Sequence, residues 1–218
     1  MGRKKSGKYA ANKFKTTTRG IRDFLDEVNA AGLSETALTW SYETALIRTT
    51  VAFEKLMLEC LIVALNKDTG PFSDDTGVRF PKHLDQKVCE YLVTGGGYFD
   101  FRGRDGLLKD MKKFTGPQHY LQVAVRDEKR RYALELLLTL RNYAAHQSPQ
   151  SKEKVRESIF CFKEGVKSVN GSAQLKAKFA KAKAPMSAGV WLKRQGRMTY
   201  ILDRLDALAD EIHQGAPY

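Results

Sequence analysis

Tyr132-Ala133-Leu134-Glu135-Leu136-Leu137-Leu138-Thr139-Leu140, followed at once by Arg141-Asn142-Tyr143-Ala144-Ala145-His146, decides how this chain is read. Leu, Ala, Glu and Arg dominate the segment, and no breaker interrupts it from Val125 to His146, so it predicts one long buried helix. Pro149 disfavours the helical region for Ser148, which places the end of the helix close to His146. An Arg, an Asn and a His therefore arrive together at the C-terminal end of a core helix. At about 100° per residue, Asn142 and His146 lie nearly above one another. The same stripe continues back through Thr139, Glu135, Arg131 and Glu128. The remaining circumference, Tyr132, Ala133, Leu136, Leu137, Leu140, Tyr143 and Ala144 with Leu134, Leu138 and Ala145 continuing round, is an apolar arc of roughly 200°, which needs cover on two sides. That cover comes from the chain's own bundle or from a second copy.

Outward from this helix, every segment with periodicity is helical. The pattern predicts helices over 20–31, 34–66, 82–93, 107–114, 152–169, 173–184 and 188–213, and no segment alternates as a strand. Ser34 is the expected N-cap of the longest, with Leu46, Val51, Phe53, Met57, Cys60, Leu61 and Ala64 as its core stripe. Residues 67–81 read as a loop. The expected fold is all-α, a helical bundle over 20–170. A basic flexible arm (1–19) precedes it, and a basic segment with a last helix packing on the bundle (171–218) follows.

The 37 Lys and Arg against 25 Asp and Glu give a net charge of +12 and a pI near 9.6. That balance points to an acidic partner such as nucleic acid. Cys60, Cys89 and Cys161 are dispersed in apolar helical contexts, which argues for buried thiols in a reducing compartment rather than disulfides or a zinc site. The longest apolar run, 56–65, is too short to span a bilayer. The expectation is a cytoplasmic protein with no membrane partner. In Gly95-Gly96-Gly97-Tyr98-Phe99-Asp100-Phe101-Arg102-Gly103-Arg104, aromatic and Arg side chains interleave as in single-strand RNA contacts. Aromatics that only anchor a loop give the same pattern. Tyr98, Arg102, Arg104 and, further away, Arg48 are the candidate RNA-binding residues.

Arg141, Asn142 and His146 at the end of a long apolar helix in a basic helical chain resemble the R-x4–6-H motif of HEPN-domain ribonucleases, and their tone and spacing resemble the RiboL-PSP-like branch. The likeness covers about residues 35–169. It implies an HEPN-like up-and-down bundle, with extra helices at both ends here, that dimerises so that two motifs meet in one cleft and cut RNA without metal or cofactor. Within it, Arg141 stabilises the phosphorane, His146 transfers protons, Asn142 orients, and Glu54 on 45–56 matches the acidic residue brought toward the motif. The residue types suit the chemistry: a His near its working pH moves protons, and an Arg fork matches a phosphate. The implied role is endoribonuclease in toxin or antiviral defence, with RNA, a second copy and a cognate antitoxin or defence-system protein as partners. The alternatives are a helical nucleic-acid-binding or assembly module that does not cut and, on charge alone, a peripheral membrane or scaffold protein. A plain structural role is also open, with His146 capping the last carbonyls and Arg141 paired with Glu54.

Overall fold

A computed structural model describes residues 6–194 and 196–217 of the 218. It is all-helical, with no strand among the described residues. Helix α1 (Gly7–Ala30) opens with the Ser6 hydroxyl accepting from the Tyr9 N–H. The expected flexible arm over 1–19 is corrected from residue 6 onward. Ala10, Ala11, Phe14 and Thr18 recur at three- and four-residue spacing and continue the stripe of Ile21, Leu25 and Val28, all buried. The many lysines of this segment mask the stripe without breaking it. Residues 1–5, the remainder of that arm, lie outside the described residues.

Helix α2 (Glu35–Lys67) is the axis of the fold, capped by Ser34 as expected, and it packs against α1, α4, α5, α7, α10 and α11. Leu46, Phe53, Met57, Cys60, Leu61 and Ala64 are all in the core, but Val51 is 44% exposed. Five residues after Leu46, it is rotated about 140° off the stripe. The expected loop at 67–81 contains a short helix, α3 (Gly70–Thr76), with Pro71 in its first turn and Gly77 in the left-handed region ending it. Helix α4 (Gln86–Thr94) follows, with Asp85 as N-cap. Helix α5 (Gly103–Phe114) starts four residues ahead of expectation.

The long helix expected from 125 is broken once. Helix α6 (Tyr120–Arg126) stops where Asp127 leaves helical geometry and its carboxylate accepts from the Lys129 N–H. This local bond competes with helix continuation. After a 3-10 turn, α7 (Arg131–His146) carries the motif, and Gln147 ends it with φ 46°. Pro149 then stands in the first turn of α8 (Pro149–Glu164), where its missing N–H costs nothing. Helix α9 (Ala173–Lys181) is basic, without a buried residue, and the last expected helix divides at Gly196 into α10 (Ala188–Leu192) and α11 (Arg197–Gly215).

The apolar arc of α7 is covered from within the chain. Ala133, Leu134, Leu136, Leu137, Leu140 and Tyr143 are buried where α7 meets α2, α5, α8, α10 and α11. Leu134 is core and is not available to a second copy. Leu138 keeps partial exposure, and Ala145 is exposed. Helix α11 joins the same core through Ile201, Leu205, Leu208 and Ile212, so 197–215 is integral to the bundle. A smaller apolar cluster of Phe160, Cys161 and Val169 carries α9 through Phe179. No described helix is long and apolar enough to cross a membrane.

Candidate functional site

Phe101 sets the geometry beside the motif. Its ring is 1% exposed and packs edge-on to Phe53 of α2, with centroids 5.0 Å apart. This anchors the Gly-rich connection between α4 and α5 against the bundle. Anchoring places the Phe101 N–H 3.2 Å from Glu54 Oε1. It also carries Asp100 to the far side of Arg141.

The Arg141 guanidinium then lies between two carboxylates, its Nη2 3.4 Å from Glu54 Oε1 and 3.0 Å from Asp100 Oδ1. The pairing with Glu54 is the one that the plain structural role expects of Arg141. Asp100 was not foreseen. An acidic residue inside a glycine-rich, Arg-flanked loop reads as solvated; its side chain is 62% exposed, and the anchoring of its neighbour Phe101 brings it beside Arg141. Arg141 Nε is buried and has no hydrogen-bond partner among the described residues. Burial pushes the Glu54 carboxyl above the usual carboxylate range. The Phe101 N–H and the Arg141 charge oppose that rise, and Asp100 adds to it. Desolvation outweighs the ion pair, so this carboxyl takes a proton more readily than a surface Glu.

Asn142 and His146 occupy the next face of α7. Five residues separate His146 from Arg141, a turn of about 140° around the axis, whereas Asn142 and His146 differ by about 40°. The Asn142 amide is half-buried and the His146 ring exposed. No hydrogen bond or ion pair engages either side chain among the described residues. Two turns back on the same face, Glu135 accepts from the Arg104 N–H at 3.2 Å, and burial raises its carboxyl too. A single chain thus holds Arg141 with Glu54 and Asp100 on one face, and Asn142 with His146 on the adjacent one. It does not pair Arg141 with His146.

One of the four candidate RNA-binding residues is corrected. Arg104 is buried: Nε donates to the Val125 carbonyl at 3.0 Å, while Nη2 reaches the Arg126 carbonyl and Glu128 Oε1. It closes the end of α6 and has no guanidinium to offer a phosphate. Arg48 lines a groove between α1 and α2 with Ile47 and Lys55, and it does not share the face of Glu54. Six residues turn the helix by about 240°. Arg102 is exposed and pairs with Asp110 at 2.6 Å. Tyr98 is 98% exposed, free to stack. Among the described residues no three His, Cys, Asp or Glu side chains gather as a metal-binding group. Compared with protein-family models, curated proteins and solved structures, the chain matches none of them.

Proposed function

We propose that the chain is a metal-independent endoribonuclease that cuts RNA through attack of the ribose 2′-OH, with an active site completed by a second copy. The observation that carries this reading is the end of α7. An exposed imidazole and an amide, neither with a partner among the described residues, stand one face away from a guanidinium held by two carboxylates, in a chain of net charge +12. In this scheme His146 moves the proton, and Arg141 neutralises charge developing on the phosphate. Asn142 orients the reacting group, and Glu54 with Asp100 fixes the guanidinium. The angular separation of Arg141 from His146 is what calls for the second copy, because it supplies its own His146 from the opposite side.

A surface suited to such a seam adjoins the motif. Trp40 and Met186, 65% and 88% exposed, border one depression with Gln147, the residue after His146. Large exposed apolar groups of this kind mark association surfaces. A role in defence and a restraining protein partner remain part of this proposal.

The second reading is a helical module that binds nucleic acid without cutting it. It is favoured by the occupancy of Arg141, whose guanidinium already has two carboxylate partners. One experiment divides them: mixed RNA is incubated with the native chain, His146→Ala and Arg141→Ala, with EDTA present throughout. Cleavage to 2′,3′-cyclic phosphate ends by the native chain, abolished in His146→Ala and reduced on the order of 100-fold in Arg141→Ala, is the expected result. RNA bound but intact with all three proteins would establish the binding module.

A further inference from the structure

Helices α1 and α2 run side by side in opposite directions, and their outer faces leave a groove of about 870 Å³. Its walls are apolar where a surface helix pair is usually polar: Phe24, Ile47 and Val51 are 37%, 43% and 44% exposed. It extends from the level of Lys13 to that of Phe24, eleven residues or about 16 Å of helix, three turns.

Two further observations say what fits there. Gly20 lies in the groove, in the middle of a 24-residue helix, where glycine is the poorest choice short of proline. Its φ is not in the left-handed region, and a Cβ built on it meets nothing within 4 Å. Neither the backbone nor the packing of this chain therefore requires glycine at this position. Its absent side chain leaves room for another backbone to approach closely. The second observation is charge. Arg48 and Lys55 stand two turns apart on one face of α2, about 10 Å along the axis, and no carboxylate pairs with either among the described residues. Lys13, at the end of the groove, is paired with Glu59 at 3.3 Å.

We infer that this groove is the docking site of an amphipathic helix from an acidic protein partner. The occupant presents apolar side chains at i, i+3 or i+4, and i+7 to Phe24, Ile47 and Val51. It presents carboxylates two turns apart to Arg48 and Lys55. This is the helix-in-groove mode of recognition, with a third helix lying along two. A second copy of this chain does not suit the site, because a two-fold contact through the groove would set the same unpaired cations against each other. The chain's own acidic helix face is occupied: Asp203 and Asp206 of α11 bind Arg22, and Asp210 binds Lys15. The inference is independent of the ribonuclease reading.

The test uses the full chain and a fluorescent, stapled amphipathic helix of about 20 residues that carries a Leu stripe flanked by Glu seven residues apart. A twin has Lys at the Glu positions. The native chain is expected to bind the Glu peptide with a micromolar Kd and its twin at least ten-fold more weakly. Gly20→Leu fills open space, so it should keep or raise the unfolding midpoint while weakening the Glu peptide at least ten-fold. The double variant Arg48→Glu, Lys55→Glu should do the same from the solvent-exposed side and invert the preference between peptides. Equal affinity for both peptides, binding indifferent to Gly20→Leu, or no binding at about 1 mM peptide would overturn the proposal. So would a loss of self-association in Gly20→Leu by sedimentation, which would assign the groove to a second copy.

Discussion

Arg130 and Arg141 stand at opposite ends of α7, each beside two carboxylates, and differ in burial and in their carbonyl partners. Arg130 is 4% exposed. Its guanidinium donates to the carbonyls of Ala124 and Ala207 and to both carboxylate oxygens of Glu211, tying α6 and α11 to the start of the motif helix. Arg141 keeps 23% of its side chain exposed and meets two carboxylates and no carbonyl. Carbonyls at a helix end have no other donor, so an Arg that satisfies them belongs to the architecture. Carboxylates on a solvent-facing Arg can exchange for a phosphate. The contrast gives a criterion for sorting arginines, and Arg104, bonded to two carbonyls, falls with Arg130.

The largest effect should come from Arg130→Ala. It strands Glu211 and the Ala124 carbonyl in the last turn of α6, and a loss of about 3 kcal/mol in urea unfolding is expected, at the lower end for a broken buried pair because Glu211 is partly exposed. A loss below about 1 kcal/mol would erase the distinction between the two arginines. Arg141→Ala is expected to reverse the pattern. Its stability should change by less than about 1 kcal/mol, as for a partly exposed ion pair, while RNA cleavage should drop on the order of 100-fold. Stability and single-turnover cleavage measured on one preparation test both halves.

Glu54→Gln sharpens the same comparison through pH. Because burial holds the folded-state carboxyl above its unfolded value, the proton on Glu54 contributes stability below the unfolded value, near pH 4.3. That stability is lost as pH rises through the folded value. Gln keeps an acceptor for the Phe101 N–H, so thermal midpoints of variant and native chain should coincide near pH 4, with the variant higher at pH 7. A native chain that gains on the variant as pH rises would mean that Arg141 outweighs burial. Gly20→Ala is expected to stabilise by about 0.5–1 kcal/mol, the helix-propensity difference. The smallest effect on stability belongs to His146→Ala, within about 0.5 kcal/mol, although cleavage should be abolished. A larger stability loss would assign His146 to the helix end.

Much of this molecule is legible from local pattern. Three- and four-residue spacing gave the all-helical class, and Ser34 marked the start of α2. Arg141-Asn142-Tyr143-Ala144-Ala145-His146 marked the end of α7, with Asn142 and His146 on one face. Each of these follows from backbone geometry that a residue shares with neighbours three and four positions away. The helical arm was misread because lysines dominate its composition, although Ala10, Phe14, Thr18 and Ile21 preserve its period. The break at Asp127 was missed because one side-chain hydrogen bond overrode the propensities around it.

What tertiary structure alone decided concerns partners distant along the chain. Arg104 and Arg102 stand two positions apart at the start of α5 and share a charge, but Arg104 became structural because α6 ends beside it, and Arg102 stayed on the surface with Asp110. Asp100 reached Arg141 because Phe101 found Phe53, a contact between residues 48 positions apart. The arc of α7 left open whether its cover was a second copy or the chain itself, and α2, α5, α8, α10 and α11 settled it. Periodicity fixes which residues face inward. Which surface they meet depends on how the helices pack, and no spacing along the chain encodes that.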